Sequence, residues 1–169
     1  GLTPLMQYTA EIFEGNRTKG TTSFVMKEQS IFDIIIGPGD NFRSIVEGAE
    51  DGAVIGIEPG TYDVVDSEGA YASLRIIGKT ITLQSVTGDP LDTKVNFREL
   101  TFTESGAGIT VNGITFDGGP GGGSYFLNFA GGEAQFTDII VDNCIVENVG
   151  TSFMRANRAS NNAHKMNLI

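Results

Sequence analysis

The chain has 169 residues, enough for one domain or one domain plus a fragment of another. Its 21 acidic against 11 basic residues give a formal charge of -10, which argues against nucleic acid and anionic membranes as partners, since phosphates need lysine and arginine. An anionic polysaccharide would need a local basic patch or a bridging metal.

With 23 glycines, no tryptophan and regular stretches dominated by Ile, Val, Phe, Thr and Tyr, the composition suits a turn-rich β protein. No apolar run reaches the roughly 18 residues of a membrane span, and no signal peptide is visible. Gly1 suits the scar of a cleaved tag, so the missing signal does not decide location.

Residues 2–28 alternate with period two on either side of Glu14-Gly15-Asn16, which predicts a β-hairpin. Residues 29–39 read as a linker or strand around Ile31-Phe32-Asp33-Ile34-Ile35-Ile36, broken by Gly37-Pro38-Gly39. Asp40 is placed to cap a short helix whose Phe42, Ile45, Val46 and Ala49 share one face. Such a helix would close the open end of a solenoid, whose core and strand edges would otherwise meet water.

From Val54 onward, strand-like units repeat. Apolar leads at 57, 81, 114 and 144 are spaced by 24, 33 and 30 residues. A second series runs through Val95-Asn96-Phe97, residues 126–129 and Phe153-Met154. Two interleaved series at a loose period of about 25–33 residues predict an all-β, right-handed parallel β-helix of about four coils over residues 40–158. Residues 159–169 then form a polar tail.

Two segments align as corners: Ile109-Thr110-Val111-Asn112-Gly113-Ile114 and Ile139-Ile140-Val141-Asp142-Asn143-Cys144. Gly113 and Asn143 are the residues that reach left-handed backbone at low cost. Residues 118–123 read as an inserted glycine-rich loop rather than a phosphate cradle, because the Walker lysine and a following helix are both missing. Cys144, the single cysteine, reads as a small buried hydrophobe; the lone histidine, His164, sits in the tail.

The run from Asp138 through Asn143-Cys144, Asn148-Val149-Gly150 and Phe153-Met154-Arg155 resembles pectin-lyase-like β-helix domains of Bacteroidetes surface proteins. The Pro59-Gly60-Thr61-Tyr62 corner is similar to the first coil of pectate-lyase-like proteins. Leu2-Thr3-Pro4 followed by Tyr8 resembles the tyrosine corner of fibronectin type III domains, which implies that residues 2–28 are the last two strands of such a domain. The resemblance covers roughly residues 40–158. It implies the N-terminal portion of a longer β-helix and a location outside the cell, in the periplasm or on the outer-membrane surface.

Alternation turns Asp117 outward, and the equivalent positions of other rungs put Gln84 and Glu147 beside it. Carboxylates stacked about 5 Å apart raise one pKa or invite a cation. By resemblance to pectate-type lyases, Asp117, Asp142 and Glu147 would hold calcium, and Arg155 or Arg158 would act on the sugar. The plainer expectation is a solvated acidic face with Arg155 as counter-ion. Tyr71 and Tyr125 are the aromatic platforms available for sugar stacking. Three readings follow: a noncatalytic polysaccharide-binding module, part of a calcium-assisted polysaccharide lyase, and an adhesin or structural stalk. A β-helix hosts all three, so the choice rests on the site.

Overall fold

A computed structural model describes residues 7–25, 31–130, 134–156 and 166–168. The chain forms two compact units, Gly1–Ile31 and Phe32–Ile169. In the first, β1 (Gln7–Glu14) and β2 (Arg17–Val25) make the expected antiparallel hairpin, with Gly15 turning at φ 61°. Its register slips between Ile12 and Phe13, and both side chains are mostly exposed. Two strands cannot bury a sandwich core by themselves. Leu2, Thr3 and Pro4 of the expected tyrosine corner lie outside the described residues, as does the side chain of Tyr8.

The second unit is a parallel β-helix of about four coils with three strands per coil. It opens with β3 (Ile34–Ile36) and α1 (Phe42–Gly48). The first coil is β4 (Val54–Ile57), β5 (Gly60–Asp63) and β6 (Leu74–Ile77). The second is β7 (Thr80–Ser85), β8 (Thr93–Asn96) and β9 (Leu100–Thr103). The third is β10 (Gly108–Asn112), β11 (Thr115–Asp117) and β12 (Tyr125–Phe129). The fourth is β13 (Ile139–Asp142), β14 (Ile145–Glu147) and β15 (Ser152–Arg155), and β16 (Met166–Leu168) lies on β13. The first sheet runs β3-β4-β7-β10-β13-β16, the second β5-β8-β11-β14 and the third β6-β9-β12-β15.

Three stacks replace the two expected series. In the first sheet Ile55, Leu83, Val111 and Val141 are in register, spaced by 28, 28 and 30 residues. The predicted leads mix strands with corners: Ile57 and Ile81 belong to the first sheet, whereas Ile114 and Cys144 precede β11 and β14. Val95 stacks on Tyr62 and Phe116 in the second sheet, not with residues 126–129, which form the third. Both errors have one cause. A residue just outside a strand is as apolar as one inside it, because both point into the core.

That core is filled by the inward alternation of all three sheets. Phe97, Phe116 and Phe126 pack ring against ring with centroids 5.1–6.0 Å apart. The corners behave as read: Gly113 has φ 67° and Asn143 φ 47°, and Asn143 Nδ2 donates to the Gly88 carbonyl at 2.8 Å. Cys144 is partly buried, its Sγ donates to the Asp142 carbonyl at 3.1 Å, and burial raises its thiol pKa.

Helix α1 packs on β6 and β5, the first strands of the third and second sheets, and buries Phe42 and Val46. Its cap is Asn41, which accepts from the Ser44 N–H at 2.9 Å. Asp40, the expected cap, instead accepts from the Gly37 N–H at 2.8 Å and closes the preceding turn. At the other end Lys79 Nζ donates to the carbonyls of Val46, Glu47 and Ala49 at 3.3, 2.7 and 2.6 Å. A cation there satisfies orphan carbonyls and complements the helix dipole. Glu47 accepts from the Arg75 backbone N–H at 3.0 Å and so occupies a donor on the edge of β6. No helix of the described residues is long and apolar enough to cross a membrane.

The glycine-rich segment is not a free insertion. A side chain at Gly123 would overlap the Arg98 carbonyl, and one at Gly121 the Phe97 carbonyl, whereas Gly122 faces open space. Gly123→Ala is therefore expected to destabilise the protein by about 2–3 kcal/mol through forced backbone displacement. Gly122→Ala, at φ 59°, costs about 1–2 kcal/mol from the left-handed backbone alone. Urea unfolding of the two variants checks the order, and equal midpoints would refute the packing.

Candidate functional site

The acidic column forms on the outer face of the second sheet, with different members from those expected. Asp63, Asn96, Asp117 and Glu147 stand in register across β5, β8, β11 and β14. Gln84 is not among them: it lies in the first sheet, stacked with Gly56, Asn112 and Asp142. Asp142 is thereby separated from Asp117 and Glu147, and it accepts from Asn112 Nδ2 at 2.6 Å. The corner after Asp142 is only two residues long, Asn143-Cys144, so Asp142 and Glu147 lie close in sequence yet on different sheets.

The repulsion between Asp117 and Glu147 is answered from within the chain. Lys94, two residues before Asn96 on β8, reaches Asp117 Oδ2 at 2.6 Å and Glu147 Oε1 at 3.0 Å. Asp117 Oδ1 accepts from Asn148 Nδ2 and from the Gly119 N–H, both at 2.9 Å. Burial is the largest single influence on Asp117 and opposes its ionisation. The hydrogen bonds from Lys94, Asn148 and Gly119 together outweigh it and hold the carboxyl below its usual range. The same two carboxylates, Asp117 foremost, raise the pKa of Lys94.

Both oxygens of Asp117 are thus committed, and Asp142 is on another sheet. The residues do not fit the calcium set that the resemblance implied. Among the described residues no group of three or more His, Cys, Asp or Glu side chains is arranged to hold a metal ion.

Tyr71 belongs to the same face. Its hydroxyl donates to Asp63 Oδ1 at 3.1 Å, and Asn96 Nδ2 donates to the same oxygen at 2.8 Å. The hydrogen bond to Asp63 is the main reason the phenol pKa is raised. Asp63 and Asp117 are in this way bonded within the ladder, while the buried Asn96 Oδ1 has no hydrogen-bond partner among the described residues.

The other two sequence candidates meet on the third sheet. The Arg155 guanidinium lies 5.5 Å from the centre of the Tyr125 ring, a cation–π distance. Arg155 ends an outward column in register: Arg75, Thr101, Asn128, Arg155. Beside this column Glu99 Oε1 accepts from Asn128 Nδ2 at 2.9 Å, Thr101 Oγ1 at 3.3 Å and Ser73 Oγ at 3.4 Å. Arg158 lies outside the described residues.

Sequence reading missed Lys94, Asn96, Asn148, Arg75 and Glu99. The signal for the first two was present: Lys94-Val95-Asn96 has the same out-in-out alternation as Thr115-Phe116-Asp117 directly above it. Two clefts, of about 400 and 370 Å³, lie near α1 and include none of these residues. No protein family, curated protein or solved structure matches this chain.

The depressed Asp117 pKa gives a pH prediction. Its stabilisation is complete above the unfolded carboxyl pKa of about 3.9 and is lost as the pH falls through the lower folded value. Asp117→Asn is expected to lower stability at pH 7 and to flatten the loss of stability on acidification. Parallel melting curves of the variant and the parent protein at neutral and acid pH test this, and an undiminished acid slope in the variant contradicts it.

Proposed function

We propose that this chain is a noncatalytic polysaccharide-binding β-helix module of a secreted or surface protein. The observation that carries the reading is the pairing of Tyr125 and Arg155 on the outer face of the third sheet. An aromatic ring offers apolar contact to a sugar face, and a guanidinium beside it offers directed donors to hydroxyl or acid oxygens. Stacked rungs repeat the outward positions about every 4.8 Å, so a polymer laid along the solenoid meets donors at regular intervals.

What supports binding without turnover is the state of the acidic ladder. A lyase of the calcium-assisted kind needs carboxylates open to a cation, and here Lys94 already bridges Asp117 and Glu147. The resemblance to pectin-lyase-like domains supports the extracellular, periplasmic or outer-membrane location and the fibronectin type III origin of the hairpin, as proposals of the same standing.

The test is a panel of uronate and neutral polysaccharides, with and without calcium, followed by titration calorimetry and by the ultraviolet absorbance of unsaturated products. Binding without product is expected. Calcium-dependent product would overturn the reading in favour of the lyase, and no binding to any member would favour a structural stalk.

A further inference from the structure

We infer that the outer face of the third sheet is an oxyanion-reading surface whose central position is occupied by the chain's own Glu99. The inference rests on the polysaccharide-binding reading and names the chemistry of the ligand: carboxylate or sulfate groups carried along a glycan.

The first ground is charge. The protein carries a formal charge of -10, so arginines on it have abundant potential partners. Yet Arg75 and Arg155, both exposed, make no ion pair among the described residues. The Glu47 carboxylate contacts the Arg75 backbone N–H but is paired with Arg43 instead. Two guanidiniums without an ion pair among the described residues, at the ends of one column and three rungs or about 14 Å apart, are a spaced pair of anion sites.

The second ground is the centre of that column. Thr101 and Asn128 are only 9% exposed each, and both aim their side-chain donors at Glu99 Oε1. With Ser73 this makes three neutral donors around one carboxylate oxygen. The column therefore accommodates a carboxylate at its middle, and Glu99 is an intramolecular occupant of that place. Glu99 is partly exposed and directly precedes β9, so rotation about its side-chain bonds vacates the position. Arg155 is held in place by the Tyr125 ring, which lowers the ordering cost of the outer contact.

The experiment uses the full chain in affinity electrophoresis through polygalacturonate, dextran sulfate and unmodified dextran at low and moderate salt. Retardation by at least one polyanion is expected, with the carboxylate and sulfate arms showing which group is read. The double variant Arg75→Gln/Arg155→Gln should weaken retardation about tenfold or more, while Thr82→Ala on the first sheet should not change it. Glu99→Gln, which removes the charge and keeps the shape, should strengthen it several-fold. The inference is overturned if loss of the arginines has no effect, or if folded Glu99→Gln binds more weakly than the parent. Retardation by dextran alone would also overturn it while leaving the polysaccharide reading intact. Retardation by none of the three would end both.

Discussion

Parallel stacking in register places equivalent positions of successive coils about 4.8 Å apart, and most of this molecule follows from that constraint. Inward, it is easily met. Tyr62, Val95, Phe116 and Val146 form one column and Leu74, Leu100, Leu127 and Met154 another, and apolar neighbours gain by contact. Outward, it is demanding, because two carboxylates at that spacing repel. The chain answers by interleaving. Asn96 stands between Asp63 and Asp117, and Lys94 neutralises Asp117 and Glu147 from the adjacent column.

The same constraint leaves an edge at the start of every sheet, since the first strand has no rung before it. For the second and third sheets, covering it falls to a helix of seven residues, too short to be stable in isolation. Its order comes from a local cap, Asn41, and from tertiary bonds: three carbonyls held by Lys79, and Glu47 bonded to the β6 backbone. The first strand, β3, is laid on β4 before the helix begins. The solenoid therefore starts in the segment that reads in sequence as a linker or strand, ahead of the expected start at residue 40.

Much of this was legible, and the limits were physical. Period-two alternation and corner residues such as Gly113 and Asn143 reveal strands and bends, so the β-helix, hairpin and helix were readable. Register was not. A corner of two residues sets Asp142 and Glu147 on different sheets, and the Ile-Thr start shared by Ile81-Thr82-Leu83-Gln84 and Ile114-Thr115-Phe116-Asp117 put Gln84 in the wrong column. The candidate site suffered most, because outward columns are defined by register alone. Glu147 was placed correctly beside Asp117, since the Thr115-Phe116-Asp117 and Ile145-Val146-Glu147 units align without a gap. Lys94 was invisible because its partners are 23 and 53 residues away and share no motif with it.

A solenoid in which each coil touches only its neighbours behaves like a one-dimensional chain of coupled units, each free to fray one step at a time from either end. The ammonium of Lys94 breaks that rule. It sits on the second coil, yet one of its two ion pairs skips the third and lands on the fourth. Coupling thus extends to next-nearest neighbours on this face. Fraying that begins at the fourth coil must release a contact anchored two coils away.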